Sequence, residues 1–228
     1  MPTPTRWPNG ANDANSRSQH YNWPVMDPAR YTTYFDDFVK FTAADWTITK
    51  VGTGTTALST ATLPGGNLVI TNSAAAPDSV YLDAVGPSFK YTSGKRLLFK
   101  ARLKVDDATL AGIVMGLQET DTTPADVNNG IFFIKTAAAT SLVGTTEASN
   151  VQSTVAAGTV VADTFFTCGW VYEPRAAVVM YYFNDVAVGS TPLTNMPTVV
   201  MTPSFGVLNG SAVARVMTVD YILASLER

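Results

Sequence analysis

The stretch from Lys95 to Gln118, KRLLFKARLKVDDATLAGIVMGLQ, limits the fold more than any other part of the chain. Leu97, Phe99, Ala101, Leu103 and Val105 alternate with Leu98, Lys100, Arg102 and Lys104. A period of two sends one set to a core and the other toward water, which is strand geometry rather than helix. Asp106 and Asp107 suit a turn. Gly112–Leu117 then resumes as a shorter apolar run with Ile113, Met115 and Leu117 on one side. Two strands joined by so short a polar link are expected to pair antiparallel inside a larger sheet.

The same grammar recurs along the chain. Trp46–Val51, Asn67–Asn72, Ser79–Leu82 and Gly130–Lys135 read as strands, and Glu119–Asn129 as a polar loop. Residues 136–160 are rich in Ala, Thr, Ser and Val and read as two short strands, Thr140–Gly144 and Val151–Val155. Phe165–Glu173 and Ala176–Asn184 bracket Pro174–Arg175 and form the clearest hairpin. Asn184–Asp185 is the next turn, and Ser204–Asn209 and Val213–Ser225 finish the sheets. No helical period appears. Strands every 8–15 residues, separated by Gly, Pro, Asn and Asp, predict an all-β fold: an antiparallel two-sheet β-sandwich (jelly roll) over residues 34–228.

Residues 1–33 differ. Pro2, Pro4, Pro8, Pro24 and Pro28 oppose both helix and central strand. Yet the segment carries Trp7, Tyr21, Trp23, Met26 and Tyr31, more apolar anchors than a solvated tail needs. It reads as an extended N-terminal arm whose rings dock either in a groove of another subunit or on the chain's own sandwich.

Charged residues make up 14% of the 228-residue chain, against about 25% in an average soluble domain. A surface built from Thr, Ser, Asn and Ala suits burial in an assembly and predicts a homo-oligomer, a dimer or trimer. A net charge of −3 and a pI near 5.0 argue against a nucleic-acid partner, which needs a basic stripe. The one cysteine, Cys168, lies in an apolar run and reads as a buried, inert thiol. With His20 as the only histidine, structural zinc is excluded. No apolar run approaches the ~18 residues of a membrane span, so no membrane partner is expected. The N-terminus lacks the apolar centre of a signal peptide, so the chain is expected to be made in the cytoplasm and used without Sec-type secretion.

From Tyr34 to Ser225 the order of elements resembles the concanavalin A-like (lectin/laminin-G-like) jelly-roll superfamily. The likeness is carried by Phe35–Asp36–Asp37–Phe38 ahead of Trp46, by GGNLVIT at Gly65–Thr71, by the strand–turn–strand unit Gly169–Ser190, and by VDYILAS at Val219–Ser225. The low charge, Thr/Ala-rich loops and Pro-rich arm also resemble tailed-bacteriophage head decoration (cement) proteins. That second resemblance implies a non-enzymatic virion structural protein on the capsid exterior. The major capsid protein would be its partner, gripped by the arm through Trp7, Tyr21, Trp23, Met26 and Tyr31.

The first resemblance implies an alternative, a carbohydrate-binding domain of a fibre or adhesin. Tyr181, Tyr182, Asn184 and Asp185 are its candidate glycan-binding residues, although Tyr in a strand is commonly core. Lectin-type jelly rolls also bind calcium in loops, which makes Glu119, Asp121, Asp126 and Asn128 candidate Ca²⁺ ligands, with Asn129 beside them. No other cofactor is expected. Jelly-roll glycosidases carry E-x-D-x-x-E on one strand; Glu119–Thr120–Asp121 begins it, but Pro124 stands where the second Glu belongs, so no catalytic residues are assigned. Lys95, Arg96, Lys100, Arg102 and Lys104 form the densest basic cluster, either a solvated face or a contact for an acidic shell.

Overall fold

The computed structural model describes residues 29–60 and 65–228. Two eight-stranded antiparallel sheets face one another. The first runs β14 (Val186–Pro192), β13 (Val178–Phe183), β12 (Phe166–Glu173), β7 (Leu97–Val105), β16 (Val216–Glu227), β4 (Leu68–Thr71) and β3 (Thr55–Leu58). The long β16 shares one edge between two partners: its first residues pair with β4 and its last with β1 (Tyr31–Asp36). The second sheet runs β11 (Val151–Thr159), β10 (Ser141–Ala148), β9 (Gly130–Lys135), β8 (Ala111–Gln118), β15 (Val200–Asn209), β5 (Ser79–Ala84) and β2 (Trp46–Val51), with the short β6 (Phe89–Lys90) also on β15. The all-β jelly-roll expectation holds.

The alternation read from the sequence sets the layers. Leu97, Phe99, Ala101, Leu103 and Val105 of β7 and Ala111, Ile113, Met115 and Leu117 of β8 all belong to one continuous core between the sheets. Their pairing, however, differs from the expectation. β7 pairs with β12 and β16, whereas β8 pairs with β9 and β15. The link between them therefore crosses from one sheet to the other. Asp107 makes this crossing, its carboxylate accepting from the backbone N–H groups of Thr109 and Leu110, both at 2.8 Å. A period of two fixes which side chains face in. It does not say which neighbour a strand takes.

Other differences are local. β10 and β11 extend past the expected Thr140–Gly144 and Val151–Val155, joined by Ser149 and Asn150 with φ of 53° and 64°. Two successive left-handed residues make the tight hairpin turn whose twist suits the strands. Asn184 and Asp185 do the same between β13 and β14, at 48° and 63°. The β12–β13 hairpin turns over four residues, since Glu173 pairs with Val178. The first sheet also begins at Tyr31, three residues inside the expected arm.

Large rings fill the core by lying over glycines of the facing sheet. The Tyr181 ring occupies the space where Gly144 would carry a Cβ, and the Phe183 ring does the same at Gly158. Tyr181 is fully buried, edge-on to Phe133 at 5.4 Å, and its hydroxyl bonds Thr146 Oγ1 at 2.8 Å. Trp170 stacks on Phe99 at 6.3 Å. Cys168 is wholly buried against Met115, and burial pushes its thiol well above the ordinary range, which suits an inert role.

Replacing Gly144 by Ala forces the Tyr181 ring out of place. Overpacking of this kind costs about 1–3 kcal/mol. Urea denaturation of the variant is expected to show a lowered midpoint with an unchanged slope.

Candidate functional site

Antiparallel register gathers a charged cluster at one end of the first sheet. Tyr172, Leu97, Leu226 and Thr32 lie on one rung across β12, β7, β16 and β1. One step further out come Glu173, Arg96, Glu227 and Tyr31, all on the outer side. The β12–β13 turn adds Pro174 and Arg175, and the residue before β1 is Arg30. Gly94, at φ 83°, turns the chain into β7, and its N–H points at the Tyr172 hydroxyl, 3.4 Å away. The outer four, with Arg30, Gly94, Pro174 and Arg175, line a polar pocket of about 370 Å³, within the range of small-molecule sites.

Its wall is organised on Arg96. The Arg96 guanidinium donates to Glu173 Oε2 at 2.7 Å, and the Arg96 backbone N–H donates to Glu227 Oε2 at 3.1 Å. Glu227 Oε1 lies 4.0 Å from the Arg30 guanidinium. The Arg175 N–H reaches Glu173 Oε1 at 3.4 Å. Tyr31 supplies a nearly covered ring at the base, 7% exposed. Both carboxylates are thus turned onto the same arginine.

A second concentration of polar groups lies on the outer face of the second sheet, beneath the loop 119–129. Val127 of that loop packs on Tyr81, Val114 and Phe132, and Gln118 Nε2 donates to Pro124 O at 2.8 Å. Asp83 is 1% exposed there and pushed up to about 6 by burial, against the pull of the Ser204 hydroxyl at 2.5 Å; Asp121 adds repulsion. Glu147 is raised by burial, with Asp126 and Glu119 adding to it. Asp83 Oδ2, Gln118 Oε1 and Thr145 Oγ1 are buried without a partner among the described residues. At the far end of the same face, Tyr81, Gly112, Ala125, Ile134, Ala137 and Leu208 enclose an apolar cavity of about 160 Å³.

Several sequence expectations change here. Tyr181 cannot stack on a sugar because it is core, and Tyr182, 6% exposed, packs on Leu98 and Val171. Asn184 Oδ1 accepts from the Thr167 N–H at 2.9 Å, and Asp185 pairs with Lys100 at 2.6 Å. The side chains assigned to a glycan site therefore build the sheet instead. The candidate calcium ligands are likewise spent or apart. Glu119 accepts from Asn129 Nδ2 at 3.0 Å and Asp121 from the Thr123 N–H at 2.6 Å. Asp126 and Asn128 are exposed, and among the described residues no three His, Cys, Asp or Glu side chains gather as a metal site.

The basic residues do share one sheet face, as the alternation requires, but carboxylates answer them. Lys100 meets Asp185, Arg102 meets Asp220, Lys104 lies 3.7 Å from Asp163, and Arg96 meets Glu173. Trp7, Tyr21, Trp23 and Met26 lie outside the described residues. Tyr31 opens β1 and pairs with Glu227, so this end of the expected arm lies on the chain's own sheet. The pocket of Arg30, Glu173, Arg175 and Glu227 escaped sequence reasoning. Its charges stand at strand ends up to 197 positions apart, from Arg30 to Glu227, and only the sheet order joins them.

No protein-family model and no curated protein matches the sequence. Solved structures do. The carbohydrate recognition domain of Emp47p is 10% identical, with 88% of this chain and 98% of that chain covered and a TM-score of 0.61. An endo-1,3-beta-glucanase from Streptomyces sioyaensis is 14% identical, over 89% and 99%, at 0.61. A protein of unknown function from Shewanella oneidensis MR-1 is 12% identical, over 90% and 95%, at 0.61. The chain therefore shares the antiparallel two-sheet jelly-roll fold of these structures, among which are a carbohydrate recognition domain and a glucanase.

The buried acids give a pH signature. A carboxyl whose folded value is raised stabilises the fold fully below its unfolded value, and that contribution is lost as pH rises through the folded value. For Asp83 the window runs from 3.8 to about 6. Thermal denaturation is expected to show stability falling across this window. Asp83→Asn should flatten the slope without removing it, because Asp36 and Glu147 are shifted the same way.

Proposed function

We propose that the chain is a non-catalytic carbohydrate-binding module whose glycan site is the polar pocket between Arg30, Tyr31, Arg96, Glu173, Arg175 and Glu227. The carrying observation is that pocket: about 370 Å³, open, and ringed by charged hydrogen-bonding groups on rigid strand ends. Sugars are held by planar polar side chains placed by a stiff scaffold. The fold supports the reading, since one of its structural neighbours is a carbohydrate recognition domain.

Some neighbours are glucanases, so catalysis is the competing class. Glycoside hydrolysis needs two carboxyl groups on opposite sides of the scissile bond. Glu173 and Glu227 instead both bind Arg96, which favours holding a sugar over cleaving one.

Attachment to a virion is a separate expectation. It rests on the arm, residues 1–33, and on composition, and the neighbours lend it nothing. Within the described basic row, Arg96, Lys100, Arg102 and Lys104 each face a carboxylate. Co-sedimentation of the full chain and of a 1–28 deletion with assembled capsids tests the arm: loss of binding on deletion is the expected outcome if the chain decorates a shell through it, with the major capsid protein as partner.

For the glycan reading, the full chain is to be screened on a glycan array and hits confirmed by calorimetry. Arg175→Ala, at an exposed turn, is expected to weaken binding about tenfold, the scale of one lost charge-assisted hydrogen bond, with the melting temperature unchanged. An empty array would end this reading.

A further inference from the structure

Resting on the glycan reading of the pocket, we propose that it selects a carboxylate-bearing sugar, a uronic acid or an oligosaccharide that ends in one.

The donor and acceptor balance of the wall carries this. Three guanidinium groups, from Arg30, Arg96 and Arg175, line the pocket with two carboxylates, from Glu173 and Glu227. One positive charge is in excess. The acceptors, moreover, are partly engaged. Glu173 takes the Arg96 guanidinium and the Arg175 amide, and Glu227 takes the Arg96 amide and faces Arg30. What the wall has left over is mainly N–H. A guanidinium carries five donors and no acceptor, and the Arg30 side chain is 69% exposed, with Arg175 also exposed on its turn.

A neutral pyranose suits such a wall poorly. Each hydroxyl both donates and accepts, and a wall richer in donors than in acceptors answers the accepting half better. A carboxylate accepts through both oxygens, and its plane matches the fork of an arginine, which gives two parallel charge-assisted bonds. The sugar ring then has Tyr31 and Pro174 as its apolar contacts at the base and rim. The Arg96 side chain is held by Glu173, while the exposed Arg30 and Arg175 are the groups that reach the ligand.

Exposure limits the strength of the pairing and makes it sensitive to salt. Selection is therefore expected to be about tenfold for acid over neutral sugar at low salt, shrinking as salt rises.

The test titrates the full-length chain with D-glucuronate, its methyl ester, D-glucose, acetate and inorganic sulfate, followed by calorimetry and by amide chemical shifts. The expected result is that glucuronate binds about tenfold more tightly than glucose or the ester, that shifts centre on Arg96 and Arg175, and that Arg30→Ala and Arg175→Ala each reduce the preference while the melting temperature holds. Equal binding of glucuronate, ester and glucose at the pocket would overturn the acid selection and leave the glycan reading standing. Acetate or sulfate binding as tightly as glucuronate would overturn the sugar part and mark a plain anion site. No binding of any sugar, here and on the array, would overturn both.

Discussion

Most strands of this sandwich give one face to a shared interior, and that single commitment governs the rest. Burial of apolar side chains between two sheets is the main source of stability, and the core takes the inward face of strand after strand, from Phe38 to Ala224. Chemistry is then left with two places, the outer faces and the strand ends. One outer face is itself covered, by the loop 119–129 with Val127 pressed on Tyr81 and Phe132. The open polar pocket forms where strand ends meet, on groups the core does not need.

The outer face of the first sheet shows how a low charge content is deployed. Lys100, Arg102 and Lys104 stand on one side of β7, and Asp185, Asp220 and Asp163 come from elsewhere in the chain to meet them. Pairs this close to solvent add little stability each. Their effect is on specificity, because a shifted register would part each cation from its carboxylate and set it beside an apolar or hydroxyl side chain. At the pocket the same chemistry is out of balance, with more guanidinium than carboxylate, and that is where binding can gain.

How much of this was legible in the sequence follows from the range of each signal. The faces of β7 and β8 could be read directly, since alternation is a local property. Their assignment to different sheets could not, because Asp106–Leu110 closes a crossing as readily as a hairpin. Asn184 and Asp185 announced their turn, and the structure uses the Asn184 Oδ1 and an Asp185 oxygen to tie that turn to β12 and β7. Tyr181 looked like a sugar platform because its position in the strand says nothing of which sheet it meets. Glu173 and Glu227 carried no local mark at all; they become neighbours of Arg96 only through the order β12, β7, β16.

The rings seated on glycines tie distant positions together in descent. Gly144 has no room for a side chain while Tyr181 is present, and Gly158 has none beside Phe183. A lineage that enlarges the glycine must first lose the ring, and one that loses the ring leaves a void in the core. Either single step passes through a weakened protein, so each pair changes together or not at all. Among drifting sequences of this chain, Gly144 with Tyr181 and Gly158 with Phe183 should persist as linked states long after the Thr and Val around them have been exchanged.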